Sequence, residues 1–182
     1  MRVISGKCRG THLVCPQGLE TRPTTDRIKE TLFNMIAFDM PGCCFLDLFS
    51  GSGGIGIESL SRGAHQAVFV EKGKEALQCI KQNLERTRLG DKAVIYTCDV
   101  LEALSKLQAK GEKFDVIFMD PPYALTNIDE ILKKIVACDL ISENGYIILE
   151  RGTNTLVTLP QDLVLWKEKT YKTTTLCFLR KE

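Results

Sequence analysis

No stretch of this sequence stays apolar long enough to span a bilayer, which excludes a membrane-crossing helix. The opening MRVISGKCRG lacks the apolar core of a secretory signal, so the chain is read as cytoplasmic. Histidine is scarce, with only His12 and His65. Eight cysteines are present, at positions 8, 15, 43, 44, 79, 98, 138 and 177, but no pair has C-x-x-C spacing. That pattern argues against a zinc site, and no metal is expected. In a cytosolic setting the thiols are expected to be reduced, with Cys43, Cys44, Cys79, Cys98 and Cys177 acting as small residues in or beside apolar runs. Net charge is only +1, so no global field draws the chain onto nucleic acid. Internal repeats, low-complexity tracts and long linkers are all missing. A length of 182 residues with 44% hydrophobic and 26% charged side chains then points to one ordinary globular domain.

What is present is an alternation. After two short apolar runs, RVIS and THLVC, which suggest a small N-terminal β-hairpin, residues 17–26 read as a loop. From Asp26, apolar residues recur at helical spacing through Ile36, with Thr25 or Asp26 as a plausible N-cap. From residue 44 onward, strand follows helix. CFLDLF, QAVFVE, AVIYTCD, FDVIFMD and GYIILE read as strands. Helices are expected from GIGIESLSRG to Gly63, from KEALQCIKQNLERTRL to Gly90, over roughly 100–110 and through IDEILKKIVAC. The tail reads as two antiparallel strands. Such alternation predicts an α/β fold with a mostly parallel sheet, helices on both faces and an antiparallel C-terminal edge. Residues 1–23 would form the hairpin and loop extension, and 24–182 the main domain of one compact unit.

Sheets of this kind bind ligands at the carboxyl ends of their strands. Asp47, Glu71, Asp99 and Asp120 each end an apolar strand there. Gly51, Gly53 and Gly56 match G-x-G-x-x-G between a strand and a helix, a pattern shared by dinucleotide enzymes. Asp47 would repel a pyrophosphate but attract the ammonium and sulfonium of S-adenosylmethionine. Glu71, 20 residues past Gly51, stands where an acid accepts from ribose hydroxyls, in either kind of enzyme. Asp99 and the Val100 N–H could meet an adenine.

The segment FDVIFMDPPY ends a buried strand on Asp120-Pro121-Pro122-Tyr123. Two prolines stiffen the backbone and remove two donors. Asp120 and the Pro121 carbonyl could pull on the two N–H bonds of a nucleobase amine, while Tyr123 stacks on the ring. Within residues 1–30, six basic side chains (Arg2, Lys7, Arg9, Arg22, Arg27, Lys29) face three acids (Glu20, Asp26, Glu30), which allows a local basic surface.

MRVISGKCRG, RPTTDRIKETLFNMI, LDLFSGSGGIGIESLSRGA, VFVEK and FDVIFMDPPY together resemble the RsmD family of bacterial guanine-N2 methyltransferases, over nearly the whole chain. The resemblance implies a Rossmann-like class I methyltransferase that uses S-adenosylmethionine and acts on a guanine in the helix-31 loop of 16S ribosomal RNA in the small subunit. It implies cofactor contacts at Asp47, Gly51, Gly53, Glu71 and Asp99, beside the Val100 N–H already noted. Asp120 to Tyr123 would hold the guanine amine, with Arg2, Arg9, Arg22 and Arg27 near RNA and the chain acting as a monomer. Ser5, Gly73 and Lys172 depart from the family pattern. Three rivals fit parts of the sequence: an adenine-N6 or glutamine methyltransferase, a nicotinamide oxidoreductase, and a non-catalytic RNA-binding assembly factor. Too few residues for a DNA-reading region, the aspartate at 120, Asp47 and the intact Asp-Pro-Pro-Tyr argue against them in turn.

Overall fold

Near-continuous apolar runs become parallel strands because both faces of each strand are covered. In the computed structural model, residues 1–16, 23–122 and 124–182 are described, with the side chains of 23–25 excepted. The elements are α1 (Pro23–Met35), β1 (Cys44–Leu48), α2 (Gly54–Ser61), β2 (Gln66–Val70), α3 (Lys74–Thr87), β3 (Ala93–Tyr96), α4 (Val100–Ala109), β4 (Phe114–Met119), α5 (Ile128–Ala137), β5 (Ile141–Gly152), β6 (Leu163–Thr170) and β7 (Thr174–Lys181). Seven strands form one sheet in the order β3-β2-β1-β4-β5-β7-β6, and the antiparallel pairings are those made by β7. Among the described residues no helix is long and apolar enough to cross a membrane.

Alternation along the strands sorts the core into two layers. Phe45, Phe69, Val116, Phe118 and Ile148 pack with Leu32 and Phe33 of α1, Ile57 and Leu60 of α2 and Ile80 of α3. Leu46, Leu48, Val70, Ile117, Met119 and Leu149 pack with Leu104 and Leu107 of α4 and Ile131, Leu132 and Ile135 of α5. Each such side chain, fully buried, stabilises the fold by about 1.5–3 kcal/mol relative to exposure.

Several boundaries differ from the sequence reading. Helix α1 begins at Pro23, so Asp26 lies in its first turn rather than capping it. Proline suits that start because the first helical N–H has no partner within the helix. Helix α3 ends at Thr87, with Arg88 in the left-handed region at φ 54, before Gly90 is reached. Burial of Leu89, whose N–H donates to the Leu84 carbonyl at 3.1 Å, secures that turn and outweighs the preference for glycine there. Strand β5 starts at Ile141 instead of 145, across a register shift opposite Asp115. The Asp115 carboxylate accepts from the Cys44 N–H (2.8 Å) and the Ser142 hydroxyl (2.7 Å), which explains how polar residues there join a strand.

The N-terminal hairpin is closed by a single bridge, Arg2 to His12, and folds back onto α2 and α3. Its anchor is Glu58, which is completely buried on α2. Its carboxylate accepts from the Ile4 N–H (2.8 Å), the Ser5 N–H (3.0 Å) and Arg62 Nε (2.8 Å), and faces Lys29 Nζ at 3.6 Å. Lys29 is also buried and donates to the Arg2 carbonyl at 2.6 Å. Burial lowers the Lys29 pKa, and Glu58 opposes that shift. Asn83 of α3 makes the second joint: its side chain pairs with both the N–H and the carbonyl of Val14 and donates to the Ser52 carbonyl at 2.9 Å.

Glu58→Ala should therefore cost about 3–5 kcal/mol in urea denaturation, because a buried ammonium and two N–H groups lose their acceptor. The pair Lys29→Met with Glu58→Gln removes both charges, keeps an acceptor, and should recover most of that loss.

Candidate active site

The register of the sheet decides which strand ends meet. Leu48 pairs with Val70 and Met119, and Met119 with Leu149. One step further on, Glu71, Asp120 and Glu150 follow β2, β4 and the paired core of β5 in a single row. Phe49 stands between Glu71 and Asp120, with its backbone in the left-handed region at φ 61. A bulky residue there is strained, and the strain turns the chain sharply out of β1. Ser50 holds the turn: its N–H donates to the Val70 carbonyl at 3.0 Å and its hydroxyl to the Asp47 carbonyl at 2.6 Å.

The glycines of the loop do different work. Gly51 has φ 54, and a Cβ added there would enter open space, so its backbone is bare towards the mouth of the site. A Cβ on Gly56 would lie 2.3 Å from the Phe69 ring, so this glycine is what lets α2 pack closely on the sheet. The Gly51 N–H donates to one oxygen of Glu71 at 2.8 Å. The other oxygen accepts from Lys72 N–H (2.8 Å) and Gly73 N–H (2.7 Å). Glu71 thus fastens the glycine loop as well as ending its strand.

Asp47 does not lie open to the loop, as the sequence reading placed it. Its side chain is buried, and Oδ2 accepts from the Gly56 N–H at 2.9 Å, tying α2 to β1. Burial raises its pKa from 3.8 to about 8; the Gly56 N–H opposes the rise, and Asp120 and Glu71 add to it. Three carboxyl groups therefore sense one another at the end of β1. An anionic pyrophosphate would worsen that repulsion, whereas a cationic ligand would relieve it. The residues present fit a ligand with positive charge and hydroxyl donors.

Asp99 caps α4, accepting from the Leu101 N–H at 3.1 Å, and pairs with Lys72 at 3.1 Å. Those two contacts, Lys72 first, hold its carboxyl below the usual range. Val100 is the first residue of α4, where the helix has no acceptor of its own for the N–H. Past β4, Asp120 is exposed and Pro121 buried, and the Pro122 carbonyl accepts from the Leu125 N–H at 2.8 Å, so the chain turns at once. Tyr123 and Arg22 lie outside the described residues. Arg2, Arg9 and Arg27 are exposed. A recess of about 30 Å³ beside the lip is lined by Asp120, Pro121, Pro122, Glu150, Arg151 and Thr174, among others. Glu150 was not singled out from the sequence, although the apolar run GYIILE ends on it as the other strands end on their acids; in the structure β5 continues past it to Gly152.

Between pH 3.8 and about 8 the folded chain keeps a proton on Asp47 that the unfolded chain has lost, so this group's contribution to stability falls as pH rises through that window. Asp47→Asn should remove the dependence. Thermal melts from pH 5 to 8 should show the variant gaining on the wild type as pH increases.

The family model described as Conserved hypothetical protein 95 matches residues 1–180. YlbH of Bacillus subtilis is 40% identical over 184 residues, covering 100% of this chain and 99% of that protein. Ribosomal RNA small subunit methyltransferase D of Escherichia coli is 34% identical over 170 residues, covering 93% of this chain and 84% of that one. The solved structure of yhhF from Escherichia coli superposes with a TM-score of 0.88 at 32% identity, over 100% of this chain and 98% of that chain. With a sheet of class I methyltransferase topology and a match along nearly its whole length, the chain belongs to the RsmD family.

Proposed function

We propose that the protein transfers a methyl group from S-adenosylmethionine to the exocyclic N2 amine of a guanine in 16S ribosomal RNA of the small subunit. The observation that carries this reading is the row formed by Glu71 and Asp120 on either side of the glycine turn, with the stiff Asp-Pro-Pro lip at its edge. The Escherichia coli relative, named as a small-subunit methyltransferase, supports the choice of RNA.

S-adenosylmethionine supplies an electrophilic methyl carbon on a sulfonium. Gly51 and Gly53 would let its amino acid part lie against backbone. Glu71 would accept from ribose hydroxyls with the capacity its three backbone donors leave. Asp99 and the Val100 N–H, at the start of α4, would face the adenine. Asp47 acts from behind the loop, fixing α2 on β1, and the charge that favours a cation comes from Glu71 and Asp120.

The guanine amine is a weak nucleophile because its lone pair is conjugated with the ring. Asp120 and the Pro121 carbonyl, as acceptors, would draw its two N–H bonds towards the lip and leave the lone pair aimed at the methyl carbon. Transfer places a positive charge on nitrogen, and Asp120 or water removes the resulting acidic proton. The prolines hold both acceptors in place before the base arrives, so acceleration comes from alignment, for which effective molarities up to about 10⁵–10⁸ M set the scale. Tyr123 would stack on the ring, and the base must leave its own stack to enter. The scheme calls on no metal and on one copy of the chain, and its substrate places the enzyme in the cytoplasm.

Asp120→Ala should lower kcat on undermethylated small subunits by at least about 100-fold, while calorimetry shows cofactor binding retained. Near-normal turnover would remove Asp120 from the reaction. Charge reversal at Arg22 and Arg27 should weaken RNA binding and flatten its salt dependence, by a slope of roughly 0.7–0.9 for each phosphate that is no longer neutralised.

A further inference from the structure

Resting on that reaction, the geometry points to Glu150 as the residue that selects guanine over adenine. The Met119–Leu149 pairing is the last one of β4, so Asp120 leaves that strand level with Glu150 of the neighbouring β5. Both line the same recess, whose volume of about 30 Å³ admits the edge of a ring rather than a whole base.

The neighbouring cation, Arg151, has several acceptors of its own. Arg151 donates to the carbonyls of Gly152 (3.3 Å), Thr153 (3.3 Å) and Thr155 (2.7 Å), and pairs with Glu168 at 3.4 Å. It builds one wall of the recess. Among the other lining residues, Asp120, the Pro121 carbonyl and Glu150 are acceptors, and the hydroxyls of Thr155 and Thr174 can donate or accept.

Base chemistry then discriminates. Guanine presents the N1–H donor beside its N2 amine, in line with a second carboxylate next to the one that holds the amine. Adenine presents a lone pair at N1 beside its amine, and a carboxylate facing it is repulsive. Glu150 accepts the guanine N1–H, and the side chain is one methylene longer than Asp120, which suits it to the ring nitrogen set back from the exocyclic amine. It is a specificity residue; the methyl group and the departing proton do not pass through it.

The test uses small subunits reconstituted with 16S ribosomal RNA carrying either guanine or 2-aminopurine at the methylated position. 2-Aminopurine keeps the 2-amine but has a lone pair at N1. Wild type should prefer guanine by about 10- to 100-fold in kcat/KM, the range of one charge-assisted hydrogen bond. Glu150→Gln can turn its amide to donate to that lone pair. It should lose about tenfold or more on guanine and narrow or invert the ratio, with cofactor affinity and melting temperature unchanged. Comparing the ratio between the two proteins cancels effects of the missing O6. If Glu150→Gln slows both substrates alike, or leaves guanine activity intact, the role of Glu150 is overturned while the reaction stands. If wild type fails on guanine-bearing subunits, the proposed reaction falls and this inference with it.

Discussion

The parallel register of β1 between β2 and β4 is the constraint on which the site depends. Leu48 lies level with both Val70 and Met119. A slip of one residue on either side would turn Glu71 or Asp120 to the other face of the sheet. The register is held by burial, since the pairs on either side of it sit in two fully packed layers. Stability and function are therefore coupled at this point: the apolar contacts that make the strands are also what bring acids far apart in sequence into one row.

Around that row the protein uses buried polar joints where simple packing would have sufficed for a fold. Glu58 holds the N-terminal arch on α2, Asn83 holds the same segment and the glycine loop on α3, and Asp47 holds α2 on β1. The one buried ion pair among them, Glu58 with Lys29, is a weak contributor to net stability, because desolvation offsets most of the attraction. The gain of these joints is directional. Each joint satisfies backbone donors that an apolar residue would leave unpaired, and each fixes one wall of the crevice relative to the sheet.

The chemistry that follows asks little of proton transfer and much of placement. Burial pushes Asp47 up to about 8, with smaller contributions from Asp120 and Glu71, and the acids at these strand ends are a poor environment for phosphate and a good one for a sulfonium. A lip stiffened by two prolines presents acceptors without loss of conformational freedom on binding. The same register that positions Asp120 supplies Glu150, and in the proposed reaction the amine and its neighbouring ring nitrogen would face these two strand ends.

Much of this was legible in the residues. The order of strands and helices, the glycine turn and the Asp-Pro-Pro exit follow from hydrophobic periodicity and backbone chemistry, which act over a few neighbours. The helix α3 boundary was not, because a buried leucine at 89 overruled the local preference for glycine. Strand β5 reads from Gly145 in the sequence, yet Asp115, distant along the chain, holds Ser142 and the strand begins at Ile141. Nothing in the sequence marked Glu58 as a buried anchor, and Asp47 looked like a residue open to ligand. By itself, then, the sequence determined which elements form, in what order, and which chemical groups end the strands. Only the tertiary structure decided which of those groups meet, which are buried and which turn to structural duty, because register and burial depend on contacts between segments whose spacing along the chain carries no record of their distance in space.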